Sequence, residues 1–284
     1  MNLRAACIQL TSTTDIARNI ELSTALVREA HGKGAQFIGM PEVVNLCDKR
    51  PGMGAKAAYI EREEPALKAY QALANELDIW LLVGSLVVKL EDDSRMANRG
   101  FLIDPSGAVT ASYDKMHMFD VDLEGGEQYR ESKNYRPGDR AVVTDTPWGR
   151  IGMTICYDVR FPYLYRALAK AGAGILTVPS SFARTTGKAH WHTLLRSRAI
   201  ETGCFVLAPA QCGDHEDGRQ TYGHALIVAP WGEVLADAGE EPGVIVADLD
   251  MGAVDRARAM VPSLEHDREF SPLGTTQSRT AAIC

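Results

Sequence analysis

Three short segments share one form: Asp104-Pro-Ser-Gly107, Thr146-Pro-Trp-Gly149 and Ala229-Pro-Trp-Gly232, each with apolar residues before and after. Proline sets the φ of the second turn residue, and glycine two positions later accepts the positive φ that a short reversal needs. Each segment predicts a β-hairpin, so the sheets are mixed rather than purely parallel. Elsewhere strands and helices alternate. Leu3 to Leu10 reads as a strand, Asp15 to Gly32 as an amphipathic helix with Ile16, Ile20, Val27 and Ala30 on one side, and Phe37 to Met40 as a strand stopping at Pro41-Glu42. After a loop, the pattern resumes with helix Glu63 to Leu77, strand Ile79 to Val88 and strand Ala108 to Tyr113. Strand Gly174 to Pro179, helix Lys188 to Thr202, strand Phe205 to Ala210 and strand Gly243 to Leu249 follow. The class is α/β. No linker divides the chain, so 1–270 reads as one domain; the polar, aperiodic stretch 271–284 reads as a tail, mobile or ordered by a partner subunit.

Composition narrows the chemistry. Lys and Arg number 30 against 37 Asp and Glu, and a formal charge of −7 gives no electrostatic footprint for nucleic acid or an anionic membrane. The first residues turn polar too soon for a signal peptide, and no apolar run reaches transmembrane length, so a cytoplasmic location is expected. Six cysteines are scattered without a CxxC pair, which points to reduced thiols rather than disulfides or a zinc site. A soluble protein acting on small molecules is the expectation.

One thiol stands apart. In Arg150-Ile-Gly-Met-Thr-Ile-Cys156-Tyr-Asp-Val-Arg-Phe-Pro162, Cys156 falls where an apolar strand stops and a helix begins, with Pro162 in the helix's first turn and Leu164, Ala167, Leu168 and Ala171 as its apolar stripe. The positive end of a helix favours thiolate, the form that attacks carbon. Glu42 ends the strand Phe37 to Met40, and Lys115 follows strand Ala108 to Tyr113. Taken singly they read as a solvated loop glutamate and a surface lysine. Together, three chemistry-bearing residues each follow an apolar strand, the place where α/β sheets present side chains to a ligand.

These residues carry a resemblance. Met40-Pro-Glu42, Tyr113-Asp-Lys115 and Ile155-Cys-Tyr-Asp158 match, in order, the three motifs of the nitrilase superfamily of carbon–nitrogen hydrolases, over about Leu3 to Phe270. Arg130-Glu-Ser132, Pro179-Ser-Ser-Phe182, Thr186-Gly-Lys-Ala-His-Trp191, Arg196-Ser-Arg-Ala-Ile-Glu201 and Ala210-Gln-Cys-Gly213 point to its amidase branch of deaminated glutathione amidases. The resemblance implies a four-layer αββα sandwich, a Glu42–Lys115–Cys156 triad, a supporting Glu131 and assembly as a homodimer or larger homo-oligomer. It implies hydrolysis of a small ω-carboxamide to carboxylate and ammonia through a thioester, with no metal and no organic cofactor. Cys156 would attack the carboxamide carbon, Glu42 would take its proton, and Lys115 with the backbone N–H of Tyr157 would hold the oxyanion. The acidic Val261-Pro-Ser-Leu-Glu-His-Asp-Arg-Glu-Phe270 departs from the basic ending usual in that branch.

Substrate contacts are read from neighbouring residues. Arg160 suits either a substrate carboxylate or an ion pair with Asp158 or another acid. Thr185 and Thr186 offer hydroxyls to a substrate, although a cap of the following helix explains Thr186 as well. His190 and His192 are two apart and cannot form an i, i+4 metal pair. The alternatives are an amidase for α-ketoglutaramate, an N-carbamoyl compound or a nitrile, a catalytically silent scaffold subunit, and a redox protein with Cys47 resolving Cys156.

Overall fold

The computed structural model describes residues 1–50, 52–123 and 126–269, so the expected tail lies outside the described residues. In chain order the elements are β1 (Asn2–Leu10), α1 (Ile16–Gly32), β2 (Phe37–Gly39), α2 (Met53–Ala57), β3 (Tyr59–Ile60), α3 (Pro65–Leu77), β4 (Trp80–Lys89), β5 (Met96–Ile103) and β6 (Val109–Asp114). Then come β7 (Asp120–Asp122), β8 (Gln128–Arg130), β9 (Val142–Thr146), β10 (Gly149–Met153), α4 (Pro162–Lys170), β11 (Ala173–Thr177) and α5 (Arg184–Thr202). The chain continues through β12 (Phe205–Ala208), β13 (Ala210–Asp214), β14 (Gln220–Tyr222), β15 (Leu226–Val228), β16 (Val234–Asp237), β17 (Gly243–Asp250) and α6 (Gly252–Met260).

Apart from the two-stranded pair β7–β8, one sheet runs β14-β13-β1-β2-β4-β5-β6, with β17 also on β1 and β3 on β4, and the other runs β16-β15-β12-β11-β10-β9. Both are mixed. The three Pro-x-x turns close the antiparallel pairs β5–β6, β9–β10 and β15–β16, with Gly107, Gly149 and Gly232 at positive φ as expected. Strand β1 shows how the layers stack. Ala5 and Cys7 belong to the core with Ile151 and Ile175 of the second sheet, whereas Ala6 and Ile8 belong to the core with Val27, Ala30, Tyr70 and Leu73 of α1 and α3. Alternate residues of one strand thus feed two cores, and the unbroken apolar run follows from burial on both faces. Leu164, Leu168, Trp191 and Leu195 of α4 and α5 cover the far side of the second sheet. The order is helices, sheet, sheet, helices, the αββα sandwich.

The structure departs from the sequence reading in four places. Helix α1 buries Asn19 and Ser23 with Val27 and Ala30, while Ile16 and Ile20 are only half-buried. Asn19 fits there because it bonds the backbone of Thr13 and Asn45, and Ser23 because it pairs with the Tyr70 hydroxyl at 2.8 Å. On α4 the buried stripe is Leu164, Tyr165, Leu168 and Ala169; Ala167 is exposed. The single strand expected over Phe205 to Ala210 is split at Pro209, where β12 ends in one sheet and β13 begins in the other. Proline has no N–H for a ladder, so the crossing falls there. Finally, α5 starts at Arg184 rather than Lys188, with Ala183 in the cap position. Thr186 therefore caps nothing; its hydroxyl bonds back to the Ala183 carbonyl inside the first turn.

Candidate active site

Glu42, Lys115 and Cys156 lie on three segments that leave the two sheets, after β2, β6 and β10, and all three line one cavity of about 790 Å³. They are 4%, 2% and 7% exposed, which removes the surface reading of Glu42 and Lys115. The Lys115 ammonium donates to Glu42 Oε1 at 2.8 Å and to both Glu131 oxygens at 2.9 Å. Sequence reasoning found this quartet, but not the groups that orient it. Asn98 Nδ2 donates to Glu42 Oε1 at 2.8 Å, the Ser181 N–H to Glu42 Oε2 at 2.7 Å and the Phe119 N–H to Glu131 Oε2 at 2.6 Å. Asn98 had a signal: an amide in the middle of the apolar run Met96-Ala-Asn-Arg-Gly-Phe-Leu-Ile103 needs a buried partner.

The motif around Cys156 has a second purpose. Asp158, fully buried, accepts from the Tyr113 hydroxyl at 2.7 Å, the Ile155 N–H at 2.9 Å and the His117 N–H at 3.0 Å, and its Oδ1 lies 2.6 Å from His117 Nδ1. Tyr113 and His117 flank Lys115, so this one carboxylate ties the lysine segment to the cysteine turn. The ion pair considered between Asp158 and Arg160 does not form. The backbone is strained at the same points: Val43, next to Glu42, has φ 49° and Cys156 has φ 48°. Such conformations cost on the order of 1–3 kcal/mol and tend to gather at functional sites.

Protonation follows from position. Burial pushes the Glu42 carboxyl up, yet the Lys115 charge and hydrogen bonds from Lys115, Asn98 and Cys156 outweigh it and hold the group below its ordinary value. Burial lowers Lys115, but the charges of Glu131 and Glu42 more than reverse that, so it stays an ammonium. The Cys156 thiol is pushed up by burial and by Glu42, with Lys115 opposing. This corrects the expectation of a helix-stabilised thiolate: a short 3₁₀ turn, Cys156–Arg160, separates the sulfur from α4, and burial, reinforced by the Glu42 charge, outweighs Lys115. The resting pair is a neutral thiol beside a carboxylate. No described acceptor takes the Tyr157 N–H, which is thus available as a donor.

The other candidates fall elsewhere. Thr186 lines the cavity, while Thr185 is exposed and reaches Glu127 at 3.4 Å. Arg160 lies over the Tyr157 and Phe182 rings, 5.9 and 5.4 Å to their centroids, and its Nη2 is 3.2 Å from His190 Nδ1. It lies behind the aromatic wall rather than among the residues lining the cavity. Cys47 is buried and its thiol is pushed up to about 11 by burial, poorly suited to resolving a disulfide. His192 is bonded not to a metal partner on its own helix but to Asp237, which also meets His224.

Comparison with known proteins places the sequence and the fold. The carbon–nitrogen hydrolase profile matches residues 4–259. The chain is 39% identical over 269 residues to deaminated glutathione amidase of Synechocystis, covering 92% of this chain and 97% of that one. To the human deaminated glutathione amidase it is 40% identical over 274 residues, 94% and 82% of the two chains. The crystal structure of the C. elegans NitFhit protein superposes with a TM-score of 0.87 at 37% identity, covering 94% of this chain and 65% of that longer one. An amidase from Nesterenkonia sp. AN1, a glutamate-to-glutamine mutant with an acetamide moiety covalently added at its active-site cysteine, superposes with a TM-score of 0.80 at 26% identity and covers 94% of each chain. No described helix is long and apolar enough to cross a membrane. With its fold, its buried Glu–Lys–Cys cluster and its sequence in agreement, the chain belongs to the carbon–nitrogen hydrolase family.

Proposed function

We propose that this amide-hydrolysing enzyme works through a thioester on Cys156, with Glu42 as its general base and deaminated glutathione as its substrate. The observation that carries the chemistry is the Glu42–Lys115–Glu131 cluster at the floor of the cavity beside the thiol. Glu42 takes the thiol proton as sulfur attacks the amide carbon, so no free thiolate has to exist beforehand. The Lys115 ammonium and the Tyr157 N–H stabilise the oxyanion; one such donor is worth about 10²–10³ in rate in other enzymes. Glu42 then protonates the departing nitrogen and later activates the water that cleaves the thioester. Glu131 holds Lys115 in place. Deaminated glutathione contains only secondary amides, so its nitrogen leaves as cysteinylglycine rather than as the ammonia expected from a primary carboxamide. α-Ketoglutaramate, the alternative substrate, would release ammonia.

The substrate rests on the names and identities of the relatives. A cytoplasmic location and a homo-oligomer belong to the same proposal, the latter supported by exposed Ile200, Trp231, Met260 and Val261. Both candidate substrates yield 2-oxoglutarate, so release of that product can be compared directly for wild type and Cys156→Ala. Preference for deaminated glutathione with an inactive variant is expected; preference for α-ketoglutaramate would move the assignment, and turnover by the variant would overturn the mechanism.

The protonation states add a pH prediction. With Glu42 held low and the thiol held high, neither group titrates between about pH 6 and 9, and kcat/KM should be flat there, falling only in acid as Glu42 takes up a proton. A rise centred near a free thiol's value of about 8.5 would instead indicate an independently ionising cysteine.

A further inference from the structure

Of the cations that line the cavity and that the chemistry above does not use, Lys49 and Lys133 are exposed to solvent, whereas Arg219 is partly enclosed. Arg219 stands at the end of the turn between β13 and β14, with its backbone fixed: its N–H donates to Asp217 Oδ1 at 2.9 Å and its carbonyl accepts from the His215 N–H at 2.8 Å. His215 is itself buried, its ring bridging the Ser12 carbonyl and the Thr221 hydroxyl at 2.8 Å each. The guanidinium lines the same cavity as Cys156. Arg50 and Arg130, also on that wall, bond Asp48 and Asp122. Arg219 forms no ion pair among the described residues. Among the described residues its only side-chain hydrogen bond is a long one, Nη1 to Ser181 Oγ at 3.4 Å, and its Nε is enclosed with no described acceptor.

A buried donor left unpaired is unfavourable, and a planar guanidinium presents the donor fork that matches a carboxylate. Asp217 does not fill this need, because its two oxygens take the backbone N–H groups of Arg219 and Lys49. Position adds to the case. Ser181, which Arg219 touches, donates its N–H to Glu42, so the free cation and the general base share one neighbour. Two carboxylates, Glu42 and Glu131, face one ammonium at the reacting centre. That leaves excess negative charge, which would repel an anionic substrate without a further cation nearby.

We propose that Arg219 is a carboxylate-binding subsite, selecting amides that carry a carboxylate on the chain bearing the scissile bond over neutral amides of the same length. This rests on the amidase reading and deepens it. Arg219 makes no contact with the reacting atoms, and its effect is on substrate choice.

Glutaramate and pentanamide share a five-carbon chain and differ in the carboxylate. In Arg219→Gln the ratio of kcat/KM for glutaramate over pentanamide should fall roughly ten- to a hundredfold, mainly through KM for glutaramate, the range for one hydrogen bond to a charged group. Arg219→Lys keeps the charge without the fork and should fall between wild type and Arg219→Gln; it also carries the test if the glutamine variant does not fold. Loss of both amides in equal proportion, or no change in the ratio, would overturn the proposal. A binding measurement separates this from the amidase reading. Calorimetric titration of glutarate into Cys156→Ala, and into the same protein with Arg219→Gln, should show binding weakened by a similar factor. If wild type hydrolyses neither amide, the amidase reading fails and the glutarate titration alone decides for or against Arg219; equal affinities there would end it.

Discussion

Exchange of Lys115 for methionine is expected to lower stability by about 3–5 kcal/mol and to abolish turnover, the first figure being typical for removing one partner of a buried ion pair. Methionine keeps most of the volume, so the loss is electrostatic. The ammonium bonds Glu42 and Glu131 together, and without it two carboxylates share a site with Asn98 as their one common side-chain donor. The pH dependence has a definite sign. In wild type the depressed Glu42 contributes stability above its unfolded value and loses it as pH falls. In the variant burial is no longer opposed by Lys115, so Glu42 titrates above its unfolded value and stability is lost as pH rises. Urea unfolding should therefore show the widest gap between the two proteins near pH 7 and above, narrowing below about pH 5. A gap that stays constant or widens in acid would mean that Lys115 acts through packing.

Gly84→Ala should be nearly as damaging although it touches no charged group. An added Cβ would lie 1.9 Å from the Met40 carbonyl oxygen and 2.5 Å from both the Pro41 oxygen and Pro179 Cβ. None of these is the end of a flexible side chain. Met40 and Pro41 lead directly into Glu42, and the Pro179 carbonyl accepts the Cys156 N–H at 2.9 Å. The methyl group would thus wedge apart the segments that hold base and nucleophile. Overpacking of this kind costs about 3 kcal/mol or more where the neighbours cannot move. Displacement on the order of 1 Å at the reacting groups costs a further ~10²-fold in rate. Gly243→Ala is the control, since nothing lies within 4 Å of its added Cβ and its φ is not in the left-handed region. Thermal melts and turnover of the two variants should differ sharply; similar behaviour would show that the strand ends adapt.

How much of this was legible in the sequence depends on the range of the interactions. The hairpins were readable because proline and glycine act on their own dihedral angles. Glu42, Lys115 and Cys156 were readable because each ends an apolar run, and the family motifs name them in order. Of the groups that orient them, Glu131 follows from the family resemblance and Asn98 leaves a signal as an amide in an apolar run, but the backbone donors leave none. Ser181 and Phe119 act through backbone N–H groups, which every residue other than proline possesses, so residue type carries no signal. The polar stripe of α1 broke the apolar periodicity because Asn19 and Ser23 find partners far along the chain. The thiolate expectation failed for a related reason: a helix terminus is visible locally, whereas the burial that raises the thiol, and the carboxylates after β2 and β8 that add to it, belong to the folded site. Arg160 was chosen for substrate contact on proximity in sequence to Cys156; Arg219, 63 positions further on, reaches the cavity through the β13–β14 turn.

The most direct measurement is the mass of the protein trapped during turnover. Acid quenching of wild type with deaminated glutathione, followed by peptide mapping, should reveal one 2-oxoglutaryl group on the peptide containing Cys156, absent from Cys156→Ala. Steady hydrolysis with no acyl group on Cys156, accompanied by retained activity in Cys156→Ala, would contradict covalent catalysis by this thiol.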